Sequence, residues 1–234
     1  PLMRLIASLY QLISFIINGF IVTFNELEVL KFGQANRRLH VALEKCLKDH
    51  DPSKHTGKFT IVTGANSGIG FQTALILATE ANHNVILACR SVERGTEARD
   101  QIIKQLKNPS VKVLMMQCDV SDLASVQKFV AELENDKIEV DCLIANAGIM
   151  ATPFQLTKQG YEVQTATNLL GNALLSLKLL HLYKQNIRII QVSSEAHTYP
   201  TSFPSGKSIL HPDIAQEDSY DRFGMYAYSK ASLV

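Results

Sequence analysis

The chain has 234 residues, 46% of them hydrophobic and 19% charged, with a formal net charge of +1. That length suits one α/β domain with an extension, and the composition excludes disorder over most of the chain. The near-neutral charge leaves no footprint for a nucleic-acid partner, the absence of Trp excludes modules built on Trp anchors, and Cys46, Cys89, Cys118 and Cys142 show neither a CxxC pair nor zinc spacing, so they read as buried reduced thiols.

The first predicted element is apolar. Residues 5–24 carry no charge and are long enough to cross a bilayer as a helix. Ser8, Gln11, Ser14 and Asn18 recur along one face, so the stretch reads as a membrane anchor, a surface-lying amphipathic helix or a packed helix. A signal peptide is disfavoured, because acidic Asn25-Glu26-Leu27-Glu28 follows in place of a small-residue cleavage site. Lys31, Arg37 and Arg38 follow the stretch and only Arg4 precedes it, which favours the cytosolic side for the remainder of the chain. Residues 1–24 are thus a membrane-associating segment and 25–57 a helical linker region ending in Pro52 and Gly57.

From Lys58 the pattern alternates. Strands are predicted at 59–63, 84–89, 111–118, 140–145 and 187–193, and helices at 69–79, 93–107, 123–133 and 161–184. The strands are continuous apolar runs, as a sheet covered on both faces requires. Helices between successive strands make parallel crossovers, so residues 58–234 are predicted to form a doubly wound, Rossmann-type α/β sheet.

Thr63-Gly64-Ala65-Asn66-Ser67-Gly68-Ile69-Gly70 joins the first strand to the first helix. Glycines there permit a sharp turn, a close backbone approach to a pyrophosphate and tight helix–strand packing, while the helix start offers free N–H groups to phosphate. The spacing is GxxxGxG, and with it the chain resembles the short-chain dehydrogenase/reductase family from about Gly57 onward. Further motifs follow in the family's order: Asp119 after the third strand, Asn146-Ala147-Gly148 after the fourth, Asn168, Ser194 at the end of the fifth, and Tyr226-Ala227-Tyr228-Ser229-Lys230 as YxxSK. Ala145 stands where the family usually has a first Asn of NNAG.

The resemblance implies that Asn168, Ser194, Tyr226 and Lys230 are catalytic. It assigns the cofactor to Gly64, Asn66, Ser67, Gly68, Ile69, Gly70, Asp119, Asn146, Ala147 and Gly148, together with Tyr226 and Lys230, and leaves no role for a metal. The chemistry agrees on its own terms. A ketone reduced by hydride needs a proton donor, and a free tyrosine with a pKa near 10 is a poor one at neutral pH. A lysine four residues on lies on the same helix face and favours the phenolate. A serine hydroxyl at a strand end can orient the substrate oxygen. The family implies that the asparagine holds a water relaying protons to the lysine. Tyr228 has Ser232 four residues on and reads as packing, and His197 as solvated or a minor pocket wall. Arg90, after the second strand where an acidic residue would bind ribose hydroxyls, can pair with a 2′-phosphate and favours NADP(H) over NAD(H).

The combination of ANSGIG, LACR, LTKQGYE and SSEAH resembles the membrane-associated retinol dehydrogenase group and the oxidoreductase domain of the WW-domain-containing oxidoreductase. This implies a lipophilic alcohol or carbonyl substrate such as a retinoid or steroid, an endoplasmic-reticulum membrane location with the catalytic part facing the cytosol, and pairing into a homodimer. The chain begins at Pro1 and has four residues after Lys230, so both ends read as cut. The Tyr226–Lys230 helix is accordingly expected to be a marginal stub and the domain to lack its last strands. A non-catalytic nucleotide-binding or scaffold form is the alternative. A sugar-nucleotide epimerase is disfavoured by its TGxxGxxG loop.

Overall fold

In a computed structural model the chain divides into two units, Pro1–Lys54 and His55–Val234. The structure describes residues 57–184, 186–199 and 217–233, all within the second. The predicted membrane-associating segment and nearly all of the helical linker region therefore lie outside the described residues.

Five strands form one parallel sheet in the order β3-β2-β1-β4-β5. They are β1 (Phe59–Thr63), β2 (Asn84–Cys89), β3 (Val113–Gln117), β4 (Val140–Ala145) and β5 (Arg188–Gln191). The helices are α1 (Gly68–Thr79), α2 (Val92–Ile103), α3 (Leu123–Asn135), α4 (Val163–Thr165), α5 (Asn172–Leu182) and α6 (Arg222–Ala231). Strand alternation sends successive side chains to opposite faces, and each face finds its own core. Ile61, Ile86 and Leu143 pack with Phe129 and Leu133 of α3 and Leu175 and Leu179 of α5. Val62, Val85 and Leu87 pack with Ala74 and Ala78 of α1 and Ala98 and Ile102 of α2. The sheet is doubly wound, as predicted.

Beyond shifts of a few residues at element ends, two elements differ from the sequence expectation. The helix predicted at 161–184 is broken by a π turn over Ala166–Gly171, between α4 and α5. A π turn opens the backbone ladder, and here the Asn172 side-chain amide donates to the Thr167 carbonyl at 3.0 Å and lies 3.4 Å from that of Asn168. The helix carrying Tyr226 and Lys230 was expected to be a stub. It is a ten-residue helix, capped where the Asp221 carboxylate accepts the Phe223 N–H, with Met225, Ala227, Ser229 and Lys230 buried. Among the described residues no helix is long and apolar enough to cross a membrane.

Candidate active site

The carboxyl ends of β1 to β4 open on a cleft of about 400 Å³. Gly64, Asn66, Ser67, Ile69 and Gly70 form its floor, Arg90, Ser91 and Arg94 one end, and Asp119 with Ser121 a wall. Asn146, Ala147, Gly148 and Thr167 close the other side. Gly70 must be glycine, because a Cβ there would stand 2.5 Å from the Gly64 carbonyl oxygen and 2.6 Å from Asn146 Nδ2. Asn146 itself faces inward, donating through Nδ2 to the Thr63 carbonyl at 2.9 Å. Beneath it, Thr63 Oγ1 accepts the Asn146 and Ala147 N–H groups at 3.0 and 2.8 Å, tying the loop after β4 to the end of β1.

The cleft suits a dinucleotide. Ser91, Asp122 and Asp221 each cap their own helix with a side-chain oxygen. Ser67, at the start of α1, caps nothing, and the first turn of α1 carries no acidic residue. The open N–H groups of that turn face the cleft, which is the chemistry a pyrophosphate requires. The exposed guanidinium groups of Arg90 and Arg94 add positive charge at one end. Asp119 is fixed in the wall, its Oδ1 accepting the Ser121 N–H and hydroxyl at 3.0 and 2.6 Å. Cys118 lines the same wall, and burial pushes its thiol up to about 12.

Three of the four residues assigned to catalysis meet at the end of this cleft. Lys230 is 5% exposed, and its Nζ donates to the Val192 carbonyl at 2.9 Å. A methyl group placed on Gly148 would lie 3.3 Å from Lys230 Nζ and 3.2 Å from Asn168 Oδ1, so loop, lysine and asparagine converge on one point. Tyr226, one helical turn before, has its ring centroid 6.0 Å from Lys230 Nζ. Burial holds the Lys230 ammonium below the usual lysine value, because water no longer solvates the charge.

The Asn168 side chain is engaged at both ends: Oδ1 accepts the Ile149 N–H at 2.8 Å, and Nδ2 donates to the Ile149 carbonyl at 2.9 Å and to Ser229 Oγ at 2.8 Å. Both Nδ2 hydrogens are thereby committed, so a water held at this residue would have to donate to the second lone pair of Oδ1 or to the main-chain carbonyl. The two serines beyond β5 divide their work. Ser193 donates its proton to the Lys230 carbonyl at 3.3 Å. Ser194 accepts the Ala196 N–H at 3.2 Å, which leaves its own proton free for a ligand oxygen. His197 Nδ1 contacts the Ser194 carbonyl at 2.6 Å, a local turn contact.

Sequence reasoning passed over Thr63, Ser91, Arg94, Ser121, Thr167, Asn172 and Ser229. Arg94 was within reach of a simple rule: it lies four residues after Arg90, at the start of α2, and so faces the same end of the cleft.

The family described as short chain dehydrogenase matches residues 58–205. Retinol dehydrogenase 13 of Homo sapiens is 43% identical over 187 residues, 78% of this chain and 54% of that protein. The WW domain-containing oxidoreductase of Homo sapiens is 36% identical over 180 residues, 76% of this chain and 42% of that protein. The chain thus spans about half the length of the curated relatives it matches. Among solved structures, menthone neomenthol reductase from Mentha piperita is 26% identical, with a TM-score of 0.59 over 76% of this chain and 82% of that one. The NADPH-dependent 3-quinuclidinone reductase from Rhodotorula rubra is 27% identical, with a TM-score of 0.55 over 76% and 61%.

Proposed function

This chain belongs to the short-chain dehydrogenase/reductase family, and from that premise we propose that it transfers hydride between NADP(H) and a lipophilic alcohol or carbonyl, such as a retinoid or steroid. The observation that carries the reading is the meeting of Tyr226, buried Lys230 and Asn168 at Gly148, where the dinucleotide cleft ends. A bound nicotinamide would supply the hydride in reduction and accept it in oxidation. In the reducing direction Tyr226 gives its phenolic proton to the developing alkoxide. Lys230 favours the phenolate that remains, an effect enlarged by the dry surroundings of its ammonium. The Ser194 hydroxyl, with its proton uncommitted, donates to the substrate oxygen and fixes its direction. Asn168 pins the loop carrying Gly148 to Ser229, and so to α6.

Gly64, Asn66, Ser67, Gly68, Ile69 and Gly70 would hold the pyrophosphate side of the cofactor, Asp119 the adenine, and Asn146, Ala147 and Gly148 the nicotinamide half. Arg90, seconded by Arg94, supports the choice of NADP(H) through a 2′-phosphate. The relatives named as retinol dehydrogenases support a lipophilic substrate. The apolar run at 5–24 supports association with a membrane, that of the endoplasmic reticulum, with domain 58–234 on the cytosolic side of a linker at 25–57. Leu177 on α5 and Phe223 on α6, 65% and 60% exposed, support pairing with a second copy. The test is consumption of NADPH and NADH by the purified protein with retinoid, steroid and aliphatic carbonyls, beside Tyr226→Phe. NADPH-dependent turnover lost in Tyr226→Phe is expected. Turnover retained by Tyr226→Phe overturns the role of the tyrosine, and none with any carbonyl overturns the activity.

A further inference from the structure

We infer that Gln164 is a positioning residue, a second staple that sets the register of α6 against the loop following β4; the inference rests on the activity proposed above. Gln164 is fully buried. Its Oε1 accepts the Ala151 N–H at 2.8 Å, and its Nε2 donates to the Arg222 carbonyl at 2.9 Å and to the Tyr220 hydroxyl at 2.8 Å. One side chain therefore joins the loop after β4 to the amino end of α6. Asn168, four residues later, joins the same two elements: Ile149 on the loop and Ser229 near the far end of α6. Two points of attachment fix both the height and the rotation of a helix, where one would leave it free to pivot. Tyr226 lies between them.

The polarity of this staple is forced. Ala151 N–H can only donate and the Arg222 carbonyl can only accept, so the amide has a single orientation. Glu162 completes it. Its carboxylate, 2% exposed, accepts the Gln164 and Thr165 N–H groups at 2.9 and 2.7 Å and the Tyr220 hydroxyl at 2.7 Å. Tyr220 thus spends its proton on Glu162 and must accept from Gln164. Burial and that carboxylate push the Tyr220 hydroxyl up to about 12, so it keeps its proton around neutral pH. Phe154 packs edge-on against the Tyr220 ring, 5.4 Å between centroids. None of these residues lines the dinucleotide cleft.

The test exploits the forced polarity. Gln164→Glu keeps the shape but removes both donated hydrogen bonds, and it sets a second carboxylate beside Glu162 and Tyr220, the titratable groups bonded into this staple. kcat should fall about 100-fold, the cost of a small misplacement of the reacting groups. KM for NADPH should change little, because the cleft shares no bond with Gln164. The loss should diminish as pH falls, since a protonated Glu regains one donor. Gln164→Met should lose as much and recover nothing. A Gln164→Glu loss with no pH recovery, or one lying in KM for NADPH, overturns the inference. Tyr220→Phe probes the same register by removing one hydroxyl, should the Gln164 variants fail to fold. It should lower kcat less, and an unchanged kcat there overturns the inference. If the wild-type protein itself shows no turnover, the proposed activity fails and amide hydrogen exchange decides. Faster exchange over Arg222–Ala231 in Tyr220→Phe, with Gly68–Thr79 unchanged, supports the staple, and unchanged exchange in both overturns it.

Discussion

Thr63→Val isolates one hydroxyl group. Thr63 is fully buried at the end of β1, and valine fills the same volume with a methyl group in place of Oγ1. Three contacts change. The Ala147 N–H loses its acceptor at 2.8 Å, and the Asn146 N–H loses one at 3.0 Å but keeps the Ile144 carbonyl at 3.0 Å. The long donation to Asn172 Oδ1, at 3.4 Å, contributes little. The cost is therefore one orphaned, part-buried N–H, about 1–3 kcal/mol, plus a few tenths for the weaker contacts. Thr63→Ser keeps the hydroxyl and loses a buried methyl, about 1 kcal/mol. Burial alone ranks the serine variant as the less stable, whereas hydrogen bonding ranks the valine variant so. Urea unfolding of both proteins decides between these orders. A Thr63→Val protein at least as stable as Thr63→Ser refutes the reasoning, and with it the view that this hydroxyl holds the loop of Asn146 to Gly148 in place.

Gly171→Ala should cost at least about 3 kcal/mol, because its Cβ would land on the Val120 carbonyl at the cleft wall; a melting temperature within a few degrees of wild type would refute this. Arg90→Ala and Arg94→Ala should each weaken NADPH binding about tenfold and leave NADH unchanged, read by titration calorimetry; equal effects on both cofactors would remove the 2′-phosphate from the account. For Lys230 the sign follows from its lowered value. Between that value and the ordinary lysine pKa of about 10.4 the unfolded chain holds a proton that the folded chain has released, so stability from this group rises with pH across that window. The stability difference between wild type and Lys230→Met should therefore move in favour of wild type on going from neutral to alkaline pH, and a difference independent of pH would contradict the burial of the charge.

The bounds of β1, β2 and β4 were legible to the residue, because a parallel strand covered on both faces reads as a near-continuous apolar run, interrupted here by Thr60, Thr63, Asn84 and Asp141. The ends of α2 and β3 were not. The helix predicted through Lys107 stops at Ile103, where Gln105 and Leu106 bond to carbonyls three residues back and tighten the chain ahead of Pro109. Nothing in the periodicity of Gln101 to Lys107 distinguishes such a tightened turn from another turn of α-helix. The break in the 161–184 helix was hidden for a different reason. Its cause lies in the sites that Gly171 and Asn168 must occupy, one against the Val120 carbonyl and one between Ile149 and Ser229. Those partners are far away in sequence.

The same division separates the parts of the candidate site. Gly70 and the Tyr226–Lys230 pair announce themselves, because a close backbone approach and a shared helix face are local requirements that restrict residue type at fixed spacing. Thr63, Gln164 and Asn172 do not. Each is a polar residue inside an apolar element, and its meaning comes from the backbone groups it meets: Ala147 for the threonine, Ala151 and Arg222 for the glutamine, Thr167 for the asparagine. A buried polar side chain must find such partners or destabilise the fold. The informative signal in the sequence was therefore negative: an uncharged polar residue where helix or strand pattern calls for an apolar one. Gln164 and Asn168, four apart in a run otherwise rich in Ala, Thr and Leu, carried that signal, and the fold turns both of them toward the same loop and the same helix.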